Sequence, residues 1–218
     1  MNQMPKFPNI YRRGRELYTK NAYPGITHFD EKTITENSIE YREFSPFRSK
    51  LAAAIANNIS QTGIKEGQVI LYLGASHGYT SSFISDIIGK DGTIFAIDFA
   101  PRVVRDLYFL SKKRHNIIPF LEDCNHPERY APRIMAAHML YQDIAQRSQV
   151  QIFLKNLPFL SKGGFGLLAI KARSIDVTRK PKEIFREVRC ELEKTTTIVD
   201  YKELDPFEKD HALFVIKK

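Results

Sequence analysis

The chain has 218 residues, 43% hydrophobic and 27% charged, which suits one sizeable globular domain with a smaller appendage rather than two full domains. No apolar stretch approaches the roughly 18 residues of a membrane span, and the opening MNQMPKFPNIYRRGREL lacks the apolar centre of a signal peptide, so a cytoplasmic location without a membrane partner is expected. The 33 Lys and Arg against 25 Asp and Glu give a net charge of +8, which favours a polyanionic partner, nucleic acid first, while two cysteines, Cys124 and Cys190, are too few for a disulfide framework and lack metal-ligand spacing.

Residues 1–47 mix Tyr, Thr, Ile and Arg with Gly14, Pro24 and Gly25, a pattern that predicts short strands and turns in a small β-rich domain. Arg12, Arg13, Arg15 and Lys20 form a first basic cluster there. A second domain, 48–218, is expected to start with a helix over RSKLAAAIANNI, 48–59. From Gln68 onward, apolar runs alternate with helical patterns, the signature of a parallel sheet covered by helices. The strand candidates are 68–73, 93–98, 117–121, 138–142 and 165–171; the helix candidates are 79–89, 101–114, 127–137, 148–160 and 181–194. Pro101 occupies a favoured first-turn position. Arg102, Arg105, Lys112, Lys113 and Arg114 make a second basic cluster. TTTIVDYKEL and HALFVIKK have no helix between them and predict a hairpin that completes the sheet in antiparallel sense.

In such a sheet, ligands bind beyond the carboxyl ends of the strands. Gly74 and Gly78, in GASHG after the first strand, let the backbone approach a ligand, and the following helix start offers free N–H groups. Asp98 ends the next strand, 20 residues after Gly78, where its carboxylate can accept from both hydroxyls of a ribose. Asp123 follows the third strand and can meet an adenine amino group, with Cys124 and Asn125 beside it and Phe99 set to lie on the base. An NAD enzyme would satisfy the ribose argument, but the tighter GxGxxG spacing that a pyrophosphate requires is absent. A terminal antiparallel hairpin suits the S-adenosylmethionine-dependent methyltransferases, whose donor carries a carboxylate, a ribose and an adenine but no phosphate.

Taken together, YREFSPFRSKLAAAI (41–55), LYLGASHGYTSSFISDIIG (71–89), APRVVRDL (100–107), NIIPFLEDCNHPERYA (116–131), YQDIAQ (141–146), GGFGLLAIKARSIDVT (163–178) and EKDHALFV (208–215) resemble the fibrillarin family in its compact archaeal form, over essentially the whole chain. The resemblance implies an α/β, Rossmann-like S-adenosylmethionine-dependent methyltransferase sheet with a small N-terminal β-rich domain. It implies 2′-O-methylation of ribose in rRNA and tRNA, in an archaeal cytoplasm, by the catalytic subunit of box C/D ribonucleoproteins. A guide RNA would select the target, with a Nop-domain scaffold protein and a kink-turn-binding ribosomal-type protein as partners.

Carried over by position, the donor site comprises Gly74, Tyr79, Thr80, Asp98, Phe99, Asp123, Cys124, Asp143, Ile144, Ala145 and Gln146. Departures from the family pattern are His77 and Tyr79 where small Ser and Thr residues are usual, Cys124 for a usual Ala, and His138 for a usual Asp. Related ribose methyltransferases use a Lys-Asp-Lys-acid or Lys-Asp-Lys-His set, which matches Lys50, Asp143, Lys171 and His211. Two nearby ammonium groups depress each other's pKa, so one lysine, Lys171 in this reading, is expected to be neutral enough to take the hydroxyl proton. Lys50 and His211 would then steer phosphate or ribose. Arg173 and Asp176 are expected either to contact RNA or to pair with each other. A protein or small-molecule methyltransferase and a non-catalytic RNA-binding subunit are the rival functions.

Overall fold

Two sheets organise the chain, and strand alternation gives each a buried face. The structure, a computed structural model, describes residues 1–134 and 136–218. The first sheet is antiparallel, built from β1 (Asn2–Gln3), β2 (Ile10–Arg13), β3 (Glu16–Lys20), β4 (Thr33–Glu36) and β5 (Ile39–Glu43) in the order β1-β2-β3-β5-β4. A helix, α1 (Lys50–Ala56), follows; Ser49 caps it by accepting from the Ala52 N–H, and Leu51 to Ile55 are all buried.

The second sheet takes β6 (Val69–Leu73), β7 (Thr93–Asp98), β8 (Ile117–Leu121), β9 (Ala137–Asp143), β10 (Leu160–Lys171), β11 (Thr197–Glu203) and β12 (His211–Lys217), ordered β11-β12-β10-β9-β6-β7-β8. The helices α2 (Tyr79–Ile88), α3 (Pro101–Ser111), α4 (Gln149–Asn156), α5 (Ala172–Ile175) and α6 (Pro181–Leu192) lie between its strands in sequence. β6 to β10 pair in parallel, whereas β12 runs antiparallel between β10 and β11. The chain runs outward from β6 through β7 to β8, then returns to β9 on the other side of β6. Strand order therefore reverses between β6 and β9, where a crevice opens at the carboxyl ends.

The expected helix at 127–137 is not present. Pro127–Arg129 and Ala131–Arg133 form two 3₁₀ turns, and Ala137 already belongs to β9. Pro132 has no N–H to donate and its ring opposes a continuous α-helix there; Met135 lies outside the described residues. Pro158 similarly ends the helix expected to reach residue 160, leaving α4 to stop at Asn156. β10 starts at Leu160, not Phe165, because a register irregularity between those residues, with Gly163 and Gly164 inside it, breaks the alternation a sequence shows.

A buried ionic cluster joins the two sheets. Arg42 of β5 bonds Asp86 Oδ2 of α2 at 2.7 Å and also Glu31, while Arg114 reaches Asp86 Oδ1 at 2.6 Å. The Asp86 carboxylate further accepts from Thr19 Oγ1 at 2.9 Å and the Ala22 N–H at 3.0 Å. Arg114 is thus buried, contrary to its place in a surface basic cluster. Arg173 pairs with Asp210 at 2.9 Å, and Asp176 instead accepts from Thr178, so those two do not pair with each other.

Candidate active site

β6 ends at Leu73, and the turn after it is pinned to β7. The N–H groups of Gly74 and Ala75 both donate to Ile97 O, at 2.9 and 3.1 Å. Gly78, at φ 90°, turns the chain into α2 through left-handed backbone that suits glycine. One step along β7, Asp98 Oδ2 accepts from the Ser76 N–H at 2.9 Å and Oδ1 from Ala100 at 3.0 Å. A carboxylate oxygen accepts more than one hydrogen bond, so Asp98 is oriented by the backbone with capacity left for a diol.

Two cavities meet at this turn. The smaller, of about 300 Å³, is lined by Gly74, Ser76, Asp98, Phe99, Asp123, Cys124, Asp143, Ile144, Ala145 and Gln146. It unites nine of the eleven residues expected at the donor site. Asp123 Oδ1 accepts from the Asn125 N–H at 2.8 Å and from Asn125 Nδ2 at 3.1 Å, and Asn125 also donates to Gln146 Oε1 at 3.2 Å. Partial burial opposes the Asp123 charge, but those hydrogen bonds outweigh it and leave its pKa below the ordinary value. Burial pushes the Cys124 thiol up to about 12, so it serves as wall rather than nucleophile.

Tyr79 and Thr80 do not line this cavity. Both stand on the wall of the larger cleft, of about 910 Å³, with Lys50, Tyr72, Asp143 and Glu208. Tyr79 lies 5.1 Å from both Phe29 and Phe83 with the Arg48 guanidinium 4.4 Å above its ring, while Thr80 donates to Ser49 Oγ at 3.1 Å. His77 also faces the larger cleft, where Nδ1 meets Asp106 Oδ2 of α3 at 2.9 Å. The Tyr72 ring stacks on Tyr141 at 4.5 Å; burial raises its pKa well above 10 and keeps the hydroxyl protonated.

Strand parity explains the polar set. Tyr141, Ala169 and Leu213 lie in the same buried layer as α1, so Asp143, Lys171 and His211, each two residues away along its strand, share that face. Ala169 pairs with Asp143 and Lys171 with His211, which gathers three side chains at one sheet end. Lys50, the first residue of α1, places Nζ 2.9 Å from Asp143 Oδ2. Burial works against the Lys50 charge, but Asp143 and then Glu208 outweigh it and raise its pKa. His211 Nδ1 stands 2.7 Å from Lys209 O. A carbonyl only accepts, so Nδ1 carries the proton and Nε2 holds the lone pair in the neutral ring. Burial first, and then Lys50, lower the His211 pKa.

Lys171 departs from expectation. Its backbone is held at both ends by Gln149, with Lys171 N–H to Oε1 at 3.0 Å and Nε2 to Lys171 O at 3.1 Å. The side chain is exposed, lines neither cavity and has no partner among the described residues. Sequence reasoning missed Ser76 and Glu208, although Glu208 opens the EKDH string. It also missed Tyr72, whose place in an apolar strand reads as packing. Among the described residues no group of three or more His, Cys, Asp or Glu could hold a metal, and no helix is long and apolar enough to cross a membrane.

The fibrillarin family model matches residues 1–218. The chain belongs to the fibrillarin family. A curated relative, the fibrillarin-like rRNA/tRNA 2′-O-methyltransferase of Methanocaldococcus jannaschii, is 46% identical over 216 residues, covering 96% of this chain and 94% of that protein. Aeropyrum pernix fibrillarin, solved with natively bound S-adenosyl-L-methionine, matches at TM-score 0.91 and 40% identity over 99% of this chain and 96% of that one. The fibrillarin of a solved fibrillarin/Nop5p complex matches at TM-score 0.86 and 33% identity over 96% and 97% of the two chains. The fibrillarin resemblance and the methyltransferase sheet expected from sequence are thereby met.

Proposed function

We infer that this fibrillarin transfers a methyl group from S-adenosyl-L-methionine to the ribose 2′-hydroxyl of rRNA and tRNA as the catalytic subunit of a box C/D ribonucleoprotein. The observation that carries this reading is that Gly74, Ser76 and Asp143 line both cavities. A donor in the smaller one and an acceptor in the larger one face each other across Asp143. The smaller cavity fits the donor chemically: two carboxylates suit a ribose diol and an adenine amine, and a Cβ on Gly74 would stand 2.4 Å from Asp143 O, inside the contact the turn requires. Bound there, S-adenosyl-L-methionine supplies an electrophilic sulfonium methyl.

The chain's own residues then have two tasks. The first is to place the ribose oxygen in line behind the methyl carbon, a contribution of up to about 7–11 kcal/mol in favourable intramolecular systems. The second is to handle the hydroxyl proton. Asp143 Oδ2 is occupied by Lys50, and the rest of the carboxylate is available to accept from the 2′-hydroxyl. Lys50 stays cationic, which fixes the Asp143 charge and stabilises negative charge developing on the acceptor oxygen. As the C–O bond forms, that oxygen becomes strongly acidic and its proton leaves through Asp143. His211, neutral with Nε2 free, is the nearby group suited to take the proton onward. We therefore move the acceptor role from Lys171 to the Asp143–His211 side and assign the unpartnered Lys171 ammonium to the RNA backbone. Tyr79 and Thr80 shape the wall of the larger cleft.

We further propose residues 1–47 and 48–218 as the two domains, and a guide RNA, a Nop-domain scaffold and a kink-turn-binding protein as the partners that present the target. Phosphate contacts from a basic surface position RNA without reading its bases, so selection by guide pairing is consistent with the charge of +8. The test is reconstitution of that particle with labelled donor and a target carrying either a 2′-hydroxyl or a 2′-deoxy sugar at the selected position. Label is expected only in the hydroxyl target. Equal labelling of both would overturn the assigned acceptor.

A further inference from the structure

Two buried glutamines flank the segment that supplies one wall of the smaller cavity. Gln142 is the last residue but one of β9, Gln149 opens α4, and between them lie Asp143, Ile144, Ala145 and Gln146, all four on the cavity wall. Both glutamines are 0% exposed. Neither is used by the chemistry above.

Gln149 fills a gap in the sheet. The last pair between β9 and β10 is Asp143 with Ala169, yet β10 runs on to Lys171. The Lys171 N–H and C=O both face the β9 side, where β9 has already ended. A side-chain amide carries the donor and the acceptor of a peptide group, and Gln149 supplies both: Oε1 accepts from the Lys171 N–H at 3.0 Å and Nε2 donates to Lys171 O at 3.1 Å. The missing rung is made by a side chain. β9 therefore turns out of the sheet after Asp143 without leaving β10 unpaired, and Ile144, Ala145 and Gln146 reach the cavity.

Gln142 ties the other end. Its neighbours across the sheet are Leu73 and Leu168, both in the apolar layer that also holds Val150, Ile152 and Phe153 of α4. From there Nε2 donates to Gln149 O at 2.7 Å, while Oε1 has no partner among the described residues. A buried orphan oxygen lowers stability, and an apolar side chain of the same shape would remove that cost. A glutamine kept in an apolar layer on those terms points to a task other than stability.

We propose that Gln142 and Gln149 are positioning residues for the methyl donor: their amides pin both ends of the 143–148 segment and so hold Ile144, Ala145 and Gln146 against S-adenosyl-L-methionine. The inference rests on the smaller cavity being the donor site. Asp143 is held separately, by Lys50 and by its own ladder pair, so the two amides act on donor affinity and not on the transfer step.

The experiment measures donor affinity of the full chain by calorimetry, the urea unfolding midpoint of each variant, and kcat of the assembled particle at saturating donor. Gln142→Met, which keeps the shape and removes the orphan oxygen, is expected to weaken donor binding about tenfold while its unfolding midpoint equals or exceeds that of the wild type. The Gln149 carbonyl that it abandons still accepts within α4. Gln149→Met is expected to weaken donor binding by at least as much, with kcat at saturating donor within about threefold of the wild type. The double variant is expected to bind donor no worse than Gln149→Met, because both side chains act on one segment. Unchanged donor affinity in both variants, a loss in Gln142→Met that follows a lowered unfolding midpoint, fully additive losses, or a fall in kcat in place of affinity would each overturn the positioning role. A wild-type chain that bound no donor would sink the donor site and this inference together, whereas wild-type binding with unchanged variants removes only the inference.

Discussion

The Thr80 hydroxyl in the first turn of α2 donates to Ser49 Oγ, the side chain that caps α1 immediately before Lys50. The helix that follows the donor turn and the helix that delivers the lysine are thus tied at their starts. Ser49→Ala is expected to lower stability by about 1 kcal/mol through loss of the cap, and to lower kcat roughly tenfold because Lys50 loses its anchor. Thr80→Val is expected to lower kcat in the same direction with donor affinity nearly retained. Denaturant melts and single-turnover rates at saturating donor separate the two effects.

Asp143 belongs to both cavities, and its replacement tests the reaction at its centre. Asp143→Ala is expected to reduce methyl transfer about a thousandfold, and Lys50→Ala to reduce it less. Lys171→Ala is expected to act mainly on KM for RNA, because that ammonium has no protein partner among the described residues. A loss of kcat in Lys171→Ala equal to that of Asp143→Ala would return the proton-accepting role to Lys171.

The pH profile should carry the signature of His211. Its folded pKa lies below 6.5, chiefly through burial, with Lys50 acting in the same sense and the hydrogen bond to Lys209 O, then Glu208 and Asp143, opposing. The neutral ring is therefore favoured at neutral pH, and transfer is expected to fall in an acid limb centred below 6.5. Stability follows the same group: as pH drops through 6.5 the unfolded chain takes up a proton that the folded ring resists, so His211 destabilises the fold progressively down to its folded pKa. His211→Gln should remove that limb and that component of acid sensitivity, which rate profiles and melts across pH 5–8 would register.

Asp86 holds two buried guanidinium groups at once. Asp86→Ala leaves Arg42 and Arg114 buried without their shared counter-charge, and is expected to cost about 3–5 kcal/mol. Equilibrium unfolding in urea measures it; a loss below about 1 kcal/mol would mean that Glu31 and solvent compensate.

The residues that line the smaller cavity were legible because they sit at strand ends, where hydrophobic periodicity locates them to within a residue. Asp98, Asp123 and Asp143 each follow an apolar run, and one 300 Å³ cavity gathers them. The helix expected at 127–137 failed because apolar spacing there was weighed without the constraint Pro132 imposes. The start of β10 was hidden by Gly163 and Gly164, which have no side chains to show alternation. Lys171 and Asp143 end neighbouring strands as expected, but a strand position fixes only where a side chain starts, and that of Lys171 is exposed. Burial of Arg114 depended on a partner, Asp86, 28 residues earlier in the chain, a long-range pairing with no local trace.

The seam made by Arg42, Asp86 and Arg114 has a mechanical consequence. It rivets the N-terminal strands to α2, whose leading end emerges from the donor turn, so the cleft wall contributed by residues 28–48 cannot swing open independently of the methyl source. The enzyme behaves as a tool head without a hinge of its own at this joint.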